Sequence, residues 1–325
     1  ALAMGLERGM CVITGGPGVG KTTILRSLLM ILEAKQVDFT LAAPTGRAAK
    51  RMSESTGHEA RTLHRLLEYQ PAKGWGRNAQ RPLPGTLFVL DEASMIDAPL
   101  MWHFLEALPT EAHLVVVGDV DQLPSVGPGR VLADVIDSGA VPVARLTEIF
   151  RQAQTSRIIT AAHAVNAGRL PDVEPPAGGA ATDFYFIERE EPEAIAEALV
   201  QVIQERIPAR FGLDPVRDVQ VLTPMNRGSL GATALNTALQ RALNGPGEFK
   251  LEAERFGTVF RAGDKVIQLR NNYEKDVFNG DIGRITSLEA EPLRVHVAFD
   301  DGREAAYEAA ELDELRLAYA ITIHK

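Results

Sequence analysis

The sequence predicts an α/β protein made of parallel sheets flanked by helices, with a small β module in its second half. In the first half, short apolar runs alternate with segments whose apolar residues recur at helical spacing, a pattern typical of parallel βαβ units. A second strand-helix-strand series, predicted over residues 184–187, 192–206 and 219–222, indicates another unit of this type. From about Gly257, short β runs separated by Gly and Asp predict a small barrel inserted in that second unit.

The most specific motif is GGPGVGKTT, residues 15–23, which fits the phosphate-binding pattern G-x-x-x-x-G-K-[ST]. Glycines let successive backbone N–H groups and the N-terminus of the following helix face phosphate oxygens. Lys21 would neutralise the β- and γ-phosphates, and the Thr22 hydroxyl would contact Mg²⁺. The residues predicted to hold ATP are Gly16, Pro17, Gly18, Val19, Gly20, Lys21, Thr22 and Thr23. The alternative is a glycine-rich turn between a strand and a helix.

The composition is that of a globular protein. Of the 325 residues, 45% are hydrophobic and 24% are charged, and no apolar run approaches the roughly 20 residues that a membrane helix needs. The one cysteine, Cys11, lies in the first predicted strand, which favours a buried thiol in a reducing compartment. We therefore expect a cytoplasmic protein with no membrane partner.

Charge is distributed unevenly along the chain. The formal net charge is −9, which argues against a surface that is basic throughout. Between Gly46 and Arg81, however, eight basic residues outnumber three acidic ones. A basic region in an acidic chain fits a confined groove for a polyanion, although a solvated helix face would have the same composition.

Two segments place hydroxyl and basic side chains near the predicted sheet edge. A predicted strand over residues 37–43 leads to Thr45 and Arg47, and a predicted helix over residues 60–67 carries Thr62 and His64. Because ligands of such sheets bind at the carboxyl ends of the strands, Thr45 and Arg47 should share an edge with the phosphate loop and could contact a nucleic-acid backbone. The alternatives are a capped helix with solvated basic side chains and a structural histidine.

Two carboxylates follow the buried strand that is predicted over residues 86–90. Asp91 is placed to hold the Mg²⁺ that Thr22 also contacts, and Glu92 can act as general base on the attacking water. The next predicted strand, residues 113–118, leads to a polar loop in which Gln122 could sense the γ-phosphate. Arg151 could neutralise the transferring phosphoryl group if a second domain brings it there, or it could be an ordinary helix arginine.

Taken in order, these motifs resemble the RecD-like DNA helicases, which belong to the superfamily-one branch that translocates 5′ to 3′ on single-stranded DNA. The resemblance spans essentially the whole chain. It rests on GGPGVGKTT, APTGRAAKRM, ARTLHRLL, VLDEASM, GDVDQLPSVGPG, LTEIFRQ, LTPMNRG, GDKVIQLRNNYEKDVFNGDIG and LAYAITIHK. It implies two RecA-like domains with an SH3-like insertion in the second. The implied ranges are 1–145 for the first domain, 146–256 for the second, 257–314 for the insertion and 315–325 for the return to the second.

The resemblance also implies roles for individual residues. Lys21, Glu92, Gln122 and Arg151 would be catalytic, with Thr22 and Asp91 on Mg²⁺. The residues implied to contact DNA are Thr45, Arg47, Thr62, His64, Leu123, Pro124, Ser125, Asn226, Arg227, Thr322 and His324. The implied protein is a monomeric ATP-dependent motor for single-stranded DNA and its junctions with duplex, in repair or recombination. Partners in a nuclease-helicase complex are not identified by these residues.

Two departures from the family pattern limit these expectations. The family continues past His-Lys with Ser-Gln-Gly and a later motif with another catalytic arginine, and a glutamine-bearing adenine motif would precede Ala1. We therefore expect a fragment that binds nucleotide, and DNA with it, while full unwinding belongs to a longer protein. The rival interpretations are a P-loop small-molecule kinase and a nucleotide-switched scaffold without motor activity.

Overall fold

The computed structural model describes residues 9–148, 155–174, 182–247, 250–272 and 274–322. The chain divides into two compact units, Ala1–Phe186 and Ile187–Lys325. None of the helices in the described ranges combines the length and the apolar composition that a membrane crossing needs.

The first unit is built on a six-stranded, fully parallel sheet with the strand order β3-β2-β4-β5-β1-β6. Its strands are β1 (Met10–Thr14), β2 (Thr40–Ala43), β3 (Ala60–Thr62), β4 (Leu87–Leu90), β5 (His113–Gly118) and β6 (Val143–Arg145). The central strands are apolar in sequence and buried along their length, because helices cover the sheet on both faces. This architecture confirms the predicted α/β class.

Six helices belong to this unit within the described residues. They are α1 (Lys21–Ala34), α2 (Gly46–Thr56), α3 (Leu63–Leu66), α4 (Ala98–Ala107), α5 (Val131–Ser138) and α6 (Arg157–Asn166). Alternate strand residues feed two separate cores, as the period of two in a strand requires. Val12 packs in the core with α4 and α5, whereas its neighbours Cys11 and Ile13 pack in the core with α1.

The strand order decides where a site can form. Strand β5 lies between β1 and β4, so the segments that follow these three strands meet at one edge of the sheet. They are the phosphate loop after β1, the two carboxylates after β4 and the Gln122 loop after β5. Ligands of open parallel sheets bind at this carboxyl edge.

The second unit contains a parallel strand pair, flanking helices and a β module. Strand β7 (Val221–Thr223) pairs in parallel with β15 (Ala320–Thr322). The helices are α7 (Pro192–Gln201), which continues through a π turn at Val202–Arg206 into α8 (Ile207–Phe211), and α9 (Ala232–Leu243). Asn236 on α9 holds β15, since its amide donates to the Ala320 carbonyl at 2.8 Å and accepts from the Ala320 N–H at 2.9 Å.

The β module lies between β7 and β15 in the sequence. Its five-stranded antiparallel sheet has the order β13-β12-β11-β10-β14, and β8 and β9 form a separate hairpin. The strands are β8 (Glu252–Arg255), β9 (Thr258–Arg261), β10 (Lys265–Gln268), β11 (Ile282–Ala290), β12 (Leu293–Phe299), β13 (Glu304–Glu308) and β14 (Leu315–Leu317). The short β runs separated by Gly and Asp predicted a β module inserted in the second unit, and the structure confirms this insertion.

Two local predictions are wrong. Residues 60–67 were predicted as one helix, but Ala60–Thr62 form the edge strand β3, which pairs with Leu41–Ala43. Residues 184–187 were predicted as a strand, and the structure assigns them none, with Tyr185 and Phe186 about half exposed. Residues 155–174 and 182–186, which the sequence assigned to the second domain, group with the first unit. The predicted domain ranges stay predictions.

Candidate nucleotide and DNA site

The phosphate loop joins the buried end of β1 to the first turn of α1. Gly18 and Gly20 have φ angles of 75° and 85°, in the left-handed region that favours glycine. Gly15 is required for a different reason, because a Cβ atom there would lie 2.6 Å from the Leu146 carbonyl oxygen. Gly20 caps α1 without a side chain, so the N–H groups of the first turn face outward from the sheet edge, where the helix dipole favours an anion.

Lys21 lies folded against this loop. Its Nζ donates to the carbonyl oxygens of Gly15 and Gly16, the latter at 3.0 Å. The same nitrogen lies 3.6 Å from Oδ2 of Asp119, whose side chain is 3% exposed. The ammonium group is therefore held at the sheet edge beside a buried carboxylate, within the space that the phosphates of a nucleotide would enter.

Asp91 and Glu92 directly follow the end of β4. The Glu92 backbone N–H donates to Oδ1 of Asp91 at 2.9 Å, and Glu92 has a φ of 51° that turns the chain into a one-turn 3₁₀ helix, Ala93–Met95. Burial raises the pKa of the Asp91 carboxyl above its ordinary value. Burial, followed by the neighbouring Asp91 charge, also raises the pKa of Glu92. A carboxylate with a raised pKa is a better proton acceptor.

The donor set fits Mg²⁺ that is shared with a nucleotide. The described residues contain no group of three or more His, Cys, Asp or Glu that could hold a metal unaided. Magnesium in phosphate-transfer sites is usually bound by one or two protein oxygens, with phosphates and water completing the shell. Thr22, exposed in the first turn of α1, and Asp91, after β4 at the same edge of the sheet, offer protein oxygens of the type that this arrangement needs.

Asp119 is a site residue that the sequence reasoning missed. Its Oδ2 faces Lys21 and also accepts a long hydrogen bond of 3.4 Å from Nε2 of Gln122. Its Oδ1 accepts from the Asp121 N–H at 3.1 Å and so shapes the start of the loop. The signal available was an acidic residue directly after a buried strand. Its importance becomes visible only when β5 is placed between β1 and β4.

Two of the predicted DNA contacts serve as helix caps. The Thr45 hydroxyl accepts from the Ala48 N–H at 3.2 Å and begins α2, and the Thr62 hydroxyl accepts from the Arg65 N–H at 3.2 Å and begins α3. The capped-helix alternative for the Thr45 segment is thus observed, and Thr62 caps a helix as well. A capping hydroxyl retains its own proton, so it can still donate to a phosphate oxygen.

Arg47 and His64 differ in their surroundings. Arg47 is exposed in the first turn of α2. His64 packs among aromatic rings, with centroid distances of 5.4 Å to Trp75 and 5.6 Å to Tyr69, and burial lowers its pKa. His103 stacks on the Trp75 ring of this cluster, with 4.4 Å between the two ring centroids. The structural interpretation of His64 therefore has direct support, and a role in DNA contact stays a prediction.

The loop after β5 presents apolar and polar groups to solvent. Leu123 is 51% exposed and Pro124 is exposed beside it. Ser125 Oγ bonds to the carbonyl oxygens of Gly127 and Gly129 at 3.1 and 3.0 Å, which fixes the turn. Gln122, Leu123, Pro124 and Ser125 thus form one continuous segment whose first residue contacts Asp119.

The remaining predicted residues belong to the second unit or are not described. Asn226 and Arg227 are exposed in the turn between β7 and α9, and Thr322 pairs in register with Thr223 on neighbouring strands. Arg151 and His324 lie outside the described residues, so their predicted roles rest on the sequence resemblance.

Comparison with protein families identifies both parts of this arrangement. Residues 1–128 match the model of an AAA domain, and residues 235–299 match that of the ATP-dependent RecD-like DNA helicase SH3 domain. The two matches together cover more than half of the chain. The second match confirms the SH3-like character of the β module.

Two relatives align along almost the whole chain. An ATP-dependent RecD2 DNA helicase from Deinococcus radiodurans is 39% identical over 316 residues, which is 97% of this chain and 41% of the relative. A RecBCD enzyme subunit RecD from Mycobacterium tuberculosis is 31% identical over an alignment 367 residues long, which covers 100% of this chain and 61% of the relative. The chain therefore spans between two fifths and three fifths of the length of these relatives.

Solved structures agree on the fold. The Pif1 helicase from Bacteroides in complex with ADP-AlF3 and ssDNA has a TM-score of 0.54 at 19% identity, covering 98% of this chain and 80% of the other. The Pif1 helicase from Candida albicans also has a TM-score of 0.54 at 19% identity, with 99% and 84% covered. The parallel sheet, the SH3-type module and the relatives agree, and they confirm the predicted resemblance of this chain to the RecD-like helicases.

Proposed function

We propose that this chain carries the motor core of an ATP-dependent DNA helicase, which hydrolyses ATP to move along single-stranded DNA. The observation that carries the proposal is the set of contacts from Lys21 through Asp119 to Gln122. These contacts join the phosphate loop to the exposed loop of residues 122–125, at a single edge of the sheet. A change in Lys21 on nucleotide binding would therefore alter the surroundings of Gln122 directly.

Hydrolysis would use the residues at the ends of three adjacent strands. The loop N–H groups and Lys21 would hold the β- and γ-phosphates, and Glu92, with its raised pKa, would take a proton from the attacking water. Thr22 and Asp91 would hold Mg²⁺, which supplies positive charge against the phosphate oxygens when it is bound. Gln122 would contact the γ-phosphate side, and we propose Arg151 as the arginine finger.

The DNA path is the second part of the proposal. On the first unit it would pass Thr45, Arg47, Thr62, His64 and the 123–125 turn, and on the second unit Asn226, Arg227, Thr322 and His324. Arg47 and Arg227 are exposed and suit phosphate contacts, whereas Leu123 suits an apolar contact with a base or sugar. Movement along the strand would follow from different contacts in the nucleotide-bound and free states.

Finer aspects of the function are inferred from the family. We propose 5′-to-3′ translocation by a monomeric motor, unwinding at junctions between single strands and duplex, and a role in DNA repair or recombination. The mycobacterial relative is named as an enzyme subunit, and on this ground we propose that this protein works with protein partners. The cytoplasmic location stays a prediction.

The experiment is equilibrium binding of a labelled single-stranded oligonucleotide, with and without a non-hydrolysable ATP analogue, over a salt series. We expect an affinity that depends on the nucleotide, and a log-log salt slope of about −0.7 for each phosphate contact. Lys21→Ala should abolish the nucleotide dependence. Lys35→Ala removes the same charge from the exposed far end of α1 and should leave it intact. Tight nucleotide binding without any DNA binding at low salt would instead favour a kinase or a switch.

A further inference from the structure

Helix α6 places a histidine on the phosphate loop, although 146 residues separate the two in sequence. His163 lies in the last turn of α6, and its Nε2–H donates to the Pro17 carbonyl at 3.1 Å. The ring also lies against the preceding residue, because a Cβ atom on Gly16 would be 3.0 Å from Cε1 of His163. Nothing in the sequence motifs points to this contact.

The N-terminus of α6 is fixed independently of the loop. Ser156 caps the helix and its hydroxyl bonds to Asp183, which also accepts from the Arg157 N–H at 2.9 Å. The Arg157 guanidinium donates to the Asp172 carbonyl at 3.0 Å and pairs with its carboxylate at 3.1 Å. A helix held at its first turn can present a side chain of its last turn at a defined position.

His163 completes a row of held carbonyl groups. Lys21 Nζ donates hydrogen bonds to the carbonyl oxygens of Gly15 and Gly16, and His163 Nε2 donates one to the carbonyl oxygen of Pro17. Three consecutive carbonyls of the loop thus each accept from a side-chain donor. Carbonyl oxygens that faced the phosphates would repel them. Because these three carbonyls are held by side-chain donors, the negative ends of their peptide dipoles are kept away from the anion.

The Pro17–Gly18 peptide is the one that most needs such support. Its bond is trans, as are all those described except Glu291–Pro292, so the Pro17 carbonyl and the Gly18 N–H point in opposite directions. Gly18 has a φ of 75° and no side chain to resist rotation of this peptide plane. When His163 holds the carbonyl on one side, the Gly18 N–H is presented on the other.

We propose that His163 is a positioning residue of the nucleotide site, which holds the Pro17 carbonyl so that the Gly18 N–H faces the phosphates. The inference rests on the proposed use of ATP at this loop. It also gives α6 a direct link to the nucleotide. Helix α6 is the first helix described after the 146–152 segment that carries Arg151.

The test compares three substitutions by titrating this chain with a fluorescent non-hydrolysable ATP analogue. His163→Phe keeps a ring against Gly16 but has no donor, and His163→Ala removes both. His163→Gln can place an amide donor close to the position of Nε2. We expect the Phe and Ala variants to bind the analogue about tenfold more weakly and the Gln variant to recover most of the affinity.

The controls separate this inference from a packing role and from the proposed function. His103→Phe makes the same substitution beside Trp75, away from the loop, and should leave the affinity unchanged. If the Phe and Gln variants bind equally well, or lose affinity equally, His163 only packs and the inference is wrong. If the unmodified chain binds no analogue, or Lys21→Ala binds it normally, then the proposed function itself has failed. Thermal unfolding identifies any His163 variant that does not fold, and the affinities of the other two His163 variants then test the inference.

Discussion

Asp264→Ala tests how strongly one buried carboxylate holds the β module to helix α9 and strand β15 within the second unit. The Asp264 side chain is fully buried and accepts four hydrogen bonds. Gln240 of α9 and Asn244, which caps the C-terminus of α9, donate at 2.6 and 2.7 Å. The Tyr319 hydroxyl donates at 2.8 Å and the Arg261 N–H at 2.7 Å. Tyr319 directly precedes β15, so this carboxylate joins the β module, helix α9 and the strand that carries the predicted DNA contact Thr322.

The magnitude follows from which donors lose their acceptor. Gln240 retains the Val259 carbonyl at 2.8 Å and Asn244 retains the Ala262 carbonyl at 3.1 Å. Tyr319 and Arg261 lose the acceptor they have, at about 1–3 kcal/mol for each buried group. Burial raises the pKa of Asp264, so removing the charge regains part of that loss. We expect the second unit to be destabilised by about 2–4 kcal/mol.

Hydrogen exchange measured by mass spectrometry can localise this effect. A loss of 2–4 kcal/mol corresponds to exchange about 30-fold to several hundred-fold faster in strands that open with the unit, such as β10 and β15. Both tryptophans, Trp75 and Trp102, belong to the first unit, so their fluorescence in urea should show an unchanged transition there.

A matched control and a clear contrary result make the test decisive. Asp300→Ala removes a carboxylate from an exposed position of the same unit and should change its stability by less than about 0.5 kcal/mol. If Asp264→Ala leaves exchange in β10 and β15 within threefold of the unmodified chain, the four hydrogen bonds do not hold the module as argued.

Three further substitutions test separate parts of the structure. Glu92→Gln should keep the affinity for an ATP analogue within about twofold, but should lower ATP hydrolysis at least about 100-fold, because the proposed general base is lost. Normal turnover would exclude Glu92 from that role. Gly231→Ala would bring a Cβ atom to 2.5 Å from the Arg227 carbonyl oxygen, so we expect a loss of about 1–3 kcal/mol in thermal unfolding together with weaker oligonucleotide binding. Burial lowers the pKa of His64 in the folded chain below its ordinary value of 6.5. As the pH falls, the unfolded chain therefore binds a proton at His64 before the folded chain does. The first unit should then lose stability as the pH falls below 6.5. His64→Gln should remove this component of the urea transition followed by tryptophan fluorescence, and an identical pH profile in the variant would contradict it.

The sequence predicted those parts of the site whose residues lie close together within one segment of the chain. The phosphate loop carries its own turn, lysine and helix start, and Asp91 and Glu92 follow an unmistakably apolar strand. No local sequence motif identifies Asp119 or His163 as a site residue. Asp119 matters because β5 lies between β1 and β4, and His163 matters because α6 packs beside a loop 146 residues earlier. Neither strand order nor helix docking can be derived from local periodicity.

The two wrong secondary-structure predictions have related causes. Residues 60–62 continue an apolar-periodic helix in sequence, but pairing with Leu41–Ala43 at the sheet edge prevails over local preference. Residues 184–187 are apolar enough for a strand, yet a strand needs a neighbour to accept its hydrogen bonds. Among the described residues no strand pairs with them, and their large side chains stay about half exposed.

The contacts of Asp119 favour the proposed motor over the rival interpretations. A kinase or a nucleotide switch requires the lysine and the carboxylates, but it does not require that the lysine share a buried partner with the loop of residues 122–125. Here one oxygen of Asp119 faces both Lys21 and Gln122. If the phosphates of a bound nucleotide drew Lys21 away, that oxygen would lose its cation, and the hydrogen bond from Gln122 would become its main compensation. The nucleotide would therefore change how the exposed 122–125 loop is held, and this is the coupling that a DNA motor needs.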